Sequence, residues 1–80
     1  MPTDSSTLCG LQSGERGQIL SVEGSDAVAA RLLEMGILPG EEIEMIGAAP
    51  MGDPIEFSVY GYRISLRRSE AARVRIEKQP

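Results

Sequence analysis

The side chains with the most chemical reach in this 80-residue chain are one thiol, Cys9, and three closely spaced carboxylates, Glu41, Glu42 and Glu44. The chain has no histidine, so the commonest general base and the commonest transition-metal ligand are both missing. A single cysteine makes neither an internal disulfide nor a zinc-binding pair, and without histidine it makes no nucleophile–base dyad. Cys9 therefore reads as a half-buried small hydrophobe. On a strand, Glu42 and Glu44 point to the same side, but a Ca²⁺ site needs several more oxygen ligands in a looped arrangement. The plainer reading is the polar face of a half-exposed strand. The phosphate-loop pattern G-x-x-x-x-G-K-S/T, the dinucleotide pattern G-x-G-x-x-G and the hydrolase elbow G-x-S-x-G are all missing. No catalytic residue, cofactor site or metal site is expected.

Size points the same way. A single domain of 80 residues buries only roughly 60% of the surface its unfolded chain exposes, which leaves little room for an enclosed substrate pocket. The first six residues lack the basic start and apolar stretch of a signal peptide, and the longest apolar run is too short to span a membrane. The expected location is the cytoplasm. Net charge is −4 with one Phe, two Tyr and no Trp, a poor match to the positive charge and stacking rings of a nucleic-acid binder. The charge is unevenly placed: residues 1–56 sum to −8 and residues 57–80 to +4. The basic side chains Arg63, Arg67, Arg68, Arg73, Arg75 and Lys78 read first as solvent-facing strand positions, and second as a patch for an acidic partner or lipid headgroups.

The elements that would carry these residues are short. Residues 1–6 read as a frayed polar tail, residues 7–78 as the folded domain, and residues 79–80 as loose. Gln18 to Val22 is β-prone. Ser25 or Asp26 supplies an N-cap for a helix over Ala27 to Met35, in which Val28, Leu32 and Met35 form an apolar stripe. Gly36 fits the left-handed position that ends a helix, with Ile37 packing back on Leu32. Leu38-Pro39-Gly40-Glu41 reads as a type II turn. Ile43 and Met45 alternate inward, as do Ile55, Phe57 and Val59, and then Ile64 and Leu66. Pro50 and Pro54 stiffen the loop between the first two of these strands, and Tyr60-Gly61 reads as a hairpin turn. Ser69 is expected to cap a short turn before a last strand around Val74 to Glu77. About five single-faced strands and one short α-helix make an all-β domain that must curl to bury its face. A small SH3-like barrel is the first expectation, and an OB-like barrel the second.

Two stretches carry more than composition does. They are Arg31-Leu32-Leu33-Glu34-Met35-Gly36-Ile37-Leu38-Pro39-Gly40, and Ala49-Pro50-Met51-Gly52-Asp53-Pro54-Ile55 followed by Gly61-Tyr62-Arg63-Ile64-Ser65-Leu66-Arg67-Arg68 and Glu70-Ala71. In that order and spacing they resemble the ferrous iron transport protein A (FeoA) family, over about Leu8 to Ile76. The resemblance implies an SH3-like barrel in the bacterial cytoplasm and one partner, the GTP-binding membrane transporter FeoB. Through that partner the domain supports Fe²⁺ uptake without catalysis and without direct membrane insertion, and it is expected to be a monomer. The same domain closes iron- and manganese-responsive repressors, but this chain is too short for their winged helix.

The motif glycines and prolines all have structural jobs, so a binding face has to be sought beside them. The expected partner-binding residues are Leu32, Met35, Leu38, Met51 and Asp53, between the helix end and the proline loop, where adaptable Met side chains sit beside rigid prolines. Two other readings compete. One is direct Fe²⁺ binding through Cys9 and Glu41, Glu42 and Glu44. The other is a metal-responsive regulatory or nucleic-acid-binding barrel using Arg63, Arg67, Arg68, Arg73 and Arg75.

Overall fold

The computed structural model describes residues 5–79. The elements in chain order are β1 (Ser5–Thr7), a 3₁₀ turn (Leu8–Gly10), β2 (Arg16–Val22), α1 (Ala27–Glu34), β3 (Glu42–Ala48), β4 (Ile55–Val59), β5 (Tyr62–Leu66), the one-turn helix α2 (Arg68–Ala71) and β6 (Val74–Lys78). All six strands form one antiparallel sheet in the order β1-β6-β2-β3-β4-β5.

The alternation read from the sequence is the alternation that packs. Ile43 and Met45, then Ile55, Phe57 and Val59, then Leu66, Val74 and Ile76 are buried, and Ile64 packs partly against them. Two irregularities help the sheet curl. The β2–β6 register shifts between Ile19 and Ser21, and the β3–β4 register shifts between Met45 and Gly47. Such bulges bend a strand and increase its twist. The first of them leaves Leu20 facing solvent. Gly17 lets β2 lie close on β6, because a Cβ there would stand 2.7 Å from Ile76 Cδ1.

The helix ends as the sequence demands. Asp26 is the N-cap, its Oδ1 accepting from the Ala29 amide at 3.1 Å. Gly36 has φ of 100°. The Ile37 amide donates to the Leu32 carbonyl and the Gly36 amide to the Leu33 carbonyl, both at 3.1 Å, which is the paired bonding of a Schellman ending. Gly40 has φ of 94° and the Glu41 amide donates to the Leu38 carbonyl, as a type II turn requires.

Several sequence expectations need correction. There are six strands, not about five, because β1 pairs Ser5 with Glu77 and Ser6 with Ile76. Ser5 and Ser6 therefore belong to the sheet; the rest of the expected tail, residues 1–4, lies outside the described residues. Gln79 is tied in too, its amide donating to the Arg16 carbonyl at 2.9 Å, while Pro80 lies outside the described residues. Ser69 does not cap α2. Arg67 is the N-cap residue, and the Glu70 carboxylate accepts from the Arg67 amide at 2.9 Å. β1 and β5 are the two edges of the sheet and do not pair. The space between them is bridged where the Cys9 thiol donates to the Arg68 carbonyl at 3.4 Å, linking the 3₁₀ turn to α2.

Candidate docking surface

The charge asymmetry of the sequence largely cancels on folding. Arg73 pairs with Asp26, Arg75 with Glu23, Arg63 with Glu56 and Lys78 with Glu15. Each of these pairs joins a cation from the basic end to an anion from the acidic part. Arg31 of α1 pairs in the other sense with Glu70 of α2. Asp26 is the most perturbed group: the Arg73 guanidinium at 2.6 Å, with the Ala29 amide, lowers its pKa to about 2. The expected basic stripe is thus mostly compensated, which weakens it as a phosphate-binding surface. Arg67 is different, since it makes no ion pair among the described residues. The guanidinium of Arg68 donates to a neutral carbonyl, that of Gly52, at 2.9 Å.

The carboxylate run is also divided. A shallow groove of about 380 Å³ is lined by Arg16, Glu41, Glu42, Glu44, Ser58, Tyr60 and Gly61. Within it Glu44 pairs with Arg16 at 3.9 Å. The Tyr60 phenol is held above its ordinary pKa, chiefly by hydrogen bonding to the Glu41 carboxylate. Among the described residues no three His, Cys, Asp or Glu side chains converge as a ligand set.

Exposed apolar side chains are the remaining feature. At the C-terminal end of α1, Leu33 is 42% exposed, Leu38 in the following turn 39%, and Met35 is partly buried against the core. The β4–β5 turn lies beside them, since a Cβ on Gly36 would be 3.9 Å from Tyr60 Cδ2. Tyr60 is 60% exposed and has φ of 55°, a left-handed conformation that most side chains avoid and that Gly or Asn adopts readily in this hairpin turn.

The five expected partner-binding residues therefore separate. Leu32 has no exposed surface and belongs to the core; it lies on the inward stripe of α1, so it is corrected out of the set. Met35 and Leu38 join Leu33 and Tyr60 at the helix end. Met51 and Asp53 lie in the 49–54 loop, at the opposite end of β4 from Tyr60. Five strand residues separate these ends, about 16 Å. The loop is fastened to α2: Asp53 Oδ1 accepts from the Arg68 amide at 3.0 Å, beside the Arg68–Gly52 bond. Asp53 is thus occupied within the fold, while Met51 is 92% exposed. Sequence reasoning missed Leu33 and Tyr60. The positive φ of Tyr60 was available in principle, because a Tyr-Gly pair in a two-residue hairpin forces it.

A small curled six-stranded antiparallel sheet with one short α-helix and a one-turn helix defines an SH3-like domain. The chain belongs to the FeoA domain family, whose model matches residues 6–78. It is 37% identical over 67 residues to the Fe(2+) transport protein A/Fe(2+) transporter FeoB fusion protein of Porphyromonas gingivalis (strain ATCC BAA-308 / W83), a match covering 84% of this chain and 8% of that protein's length. An FeoA-like protein of Clostridium acetobutylicum, solved by NMR, superposes with a TM-score of 0.89 at 32% identity, covering 100% of this chain and 92% of that one. The zinc-complexed FeoA of Stenotrophomonas maltophilia, described as a prokaryotic SH3 domain protein, gives 0.78 at 37% identity, covering 89% and 88%. The all-β, SH3-like expectation is met, and with it the family. No helix among the described residues is long and apolar enough to cross a membrane.

Proposed function

We propose that this protein is an accessory domain of ferrous iron uptake that acts by docking onto the FeoB transporter at the cytoplasmic side of the membrane, without catalysing a reaction. The observation that carries this reading is the Porphyromonas gingivalis relative, in which a domain similar to this chain shares a polypeptide with FeoB. Modules joined in one polypeptide are well placed to bind each other, since a tether replaces an affinity by an effective concentration. The surface supports the same reading. Leu33 and Leu38 are exposed around the C-terminal end of α1, and the exposed Tyr60 ring lies beside Gly36 there, apolar side chains of the kind that anchor protein contacts.

The test is Fe²⁺ uptake in cells lacking the chromosomal gene, with other iron routes blocked, complemented by wild type or by Tyr60→Asn. Asn suits the left-handed turn position, so the fold is kept while the ring is removed. Wild type should restore uptake and Tyr60→Asn should restore it poorly at equal protein level. Normal uptake in the uncomplemented deletion would refute the proposal.

A further inference from the structure

One edge of the sheet is left open in a way that fits a particular kind of ligand. β5 has a neighbour only on the β4 side. The β4–β5 turn has two residues, Tyr60 and Gly61, both with positive φ, and Val59 stands opposite Tyr62. In such a hairpin the residues flanking the turn form a hydrogen-bonded pair, and bonded pairs then alternate along the ladder. Tyr62, Ile64 and Leu66 therefore bond to β4, and the amides and carbonyls of Arg63 and Ser65 point to the free edge. Neither residue takes part in any hydrogen bond outside the strand ladders among the described residues. Both are exposed. The edge stops at Arg67, whose amide is taken by Glu70 and whose carbonyl accepts from the amides of Glu70 and Ala71.

This open edge joins the two ends described above. Its Tyr62 end adjoins Tyr60 and Gly36, with Tyr62 exposed and Ile64 only partly covered. Its Leu66 end adjoins the 49–54 loop through Arg68, and there Arg67 lacks an ion pair among the described residues. Like charges would be repelled from that end, and a carboxylate would meet the uncompensated guanidinium of Arg67.

We infer that β5 is a strand-addition site that takes a short extended peptide of the transporter, apolar where it passes Tyr60 and Ile64 and acidic where it reaches Arg67 and Arg68. An added strand supplies main-chain bonds to Arg63 and Ser65 and places alternate side chains against the two ends, the general mode of strand addition. The peptide covers Ile64 and removes an exposed sheet edge. The inference rests on the docking reading above and adds the site and the shape of the ligand.

The experiment uses the full chain and full-length FeoB in nanodiscs. Amide hydrogen exchange is followed residue by residue, alone and with FeoB. Affinity is measured for wild type, for Ser65→Pro, and for a chain made by chemical ligation with an N-methylated Ser65. Both changes delete one free-edge donor without touching the β4 ladder, and proline is tolerated on an edge whose amide faces solvent. Expected are slowed exchange at Arg63 and Ser65 on binding, an affinity loss of tenfold or more in both altered chains, and a smaller loss in Arg67→Gln that vanishes at high salt. If Ser65→Pro does not fold, the N-methylated chain decides. Binding that leaves both amides and both altered chains unaffected would overturn the strand-addition site and leave docking intact. If wild type does not bind FeoB at all, the docking reading falls and this inference with it.

Discussion

The two ends of the β4–β5 hairpin are built differently. The end near Tyr60 is held by backbone geometry: a Schellman ending at Gly36, a type II turn at Gly40 and a left-handed pair at Tyr60 and Gly61. Its apolar side chains stand on a frame fixed by local chain conformation. The end near Met51 also has a backbone turn, the Gly52 amide donating to the Ala49 carbonyl and the Ala49 amide to the Pro54 carbonyl, but it is braced in addition from α2, Arg68 reaching Gly52 and Asp53. That bracing is long-range, the partners standing 16 and 15 positions apart in the chain. The first end suits a preformed contact that loses little entropy on binding. The second adds a polar clamp to its own turn, and it presents Met51, an exposed and flexible side chain, as the more adaptable anchor.

The sharpest way to break this contrast is within α1. Leu32→Ala removes a fully buried side chain and is expected to destabilise by about 2–5 kcal/mol, a fall in Tm of about 10 °C or more for a domain this small. Leu33→Ala, one residue on, is expected to stay within about 0.5 kcal/mol. Thermal denaturation of both variants checks the separation of core from surface. Next in size is Gly36→Val, which forces a β-branched residue to φ of 100° and should cost about 1–2 kcal/mol. An unchanged Tm would mean that the local frame of this end is not the one described. Arg68→Ala should cost no more than about 1 kcal/mol. It should nevertheless speed proteolysis and amide exchange in the 49–54 loop while leaving the Tyr60 end unaltered.

The smallest expected effect concerns the far end of α1. Asp26 has its pKa lowered from 3.8 to about 2, so its folded-state contribution is present above pH about 4 and is lost as pH falls through about 2. Urea denaturation at pH 5 and pH 2 should show wild type more stable than Asp26→Asn at the higher pH, with the gap closing at the lower.

Much of the fold could be read from the chain because local chemistry and tertiary packing agree. Ile55, Phe57 and Val59 alternate with polar residues and are buried, and Gly36 and Gly40 take the positive φ their turns require. What stayed hidden depended on partners distant in sequence. β1 is three small polar residues with no alternation, made a strand only by β6. Ser69 resembled a cap, but Glu70 reaching back to Arg67 decides where α2 begins. Of the residues expected at a docking surface, Leu38 is exposed and Met35 half-buried just past the C-terminal end of α1, whereas Leu32 sits on the inward stripe of that helix, and Met51 lies at the far end of β4. Arg63, Arg73 and Arg75 looked like a basic patch because their anions lie 7 to 52 positions away in the chain.

The central claim is that this domain binds FeoB through the Tyr60 side of the hairpin. It is tested most directly by titrating the labelled full chain with full-length FeoB in nanodiscs, alongside Tyr60→Asn. Wild type should bind saturably, and a Tyr60→Asn chain that is as stable as wild type should bind at least tenfold more weakly. Equal binding by the two chains, or no binding by either, would contradict it.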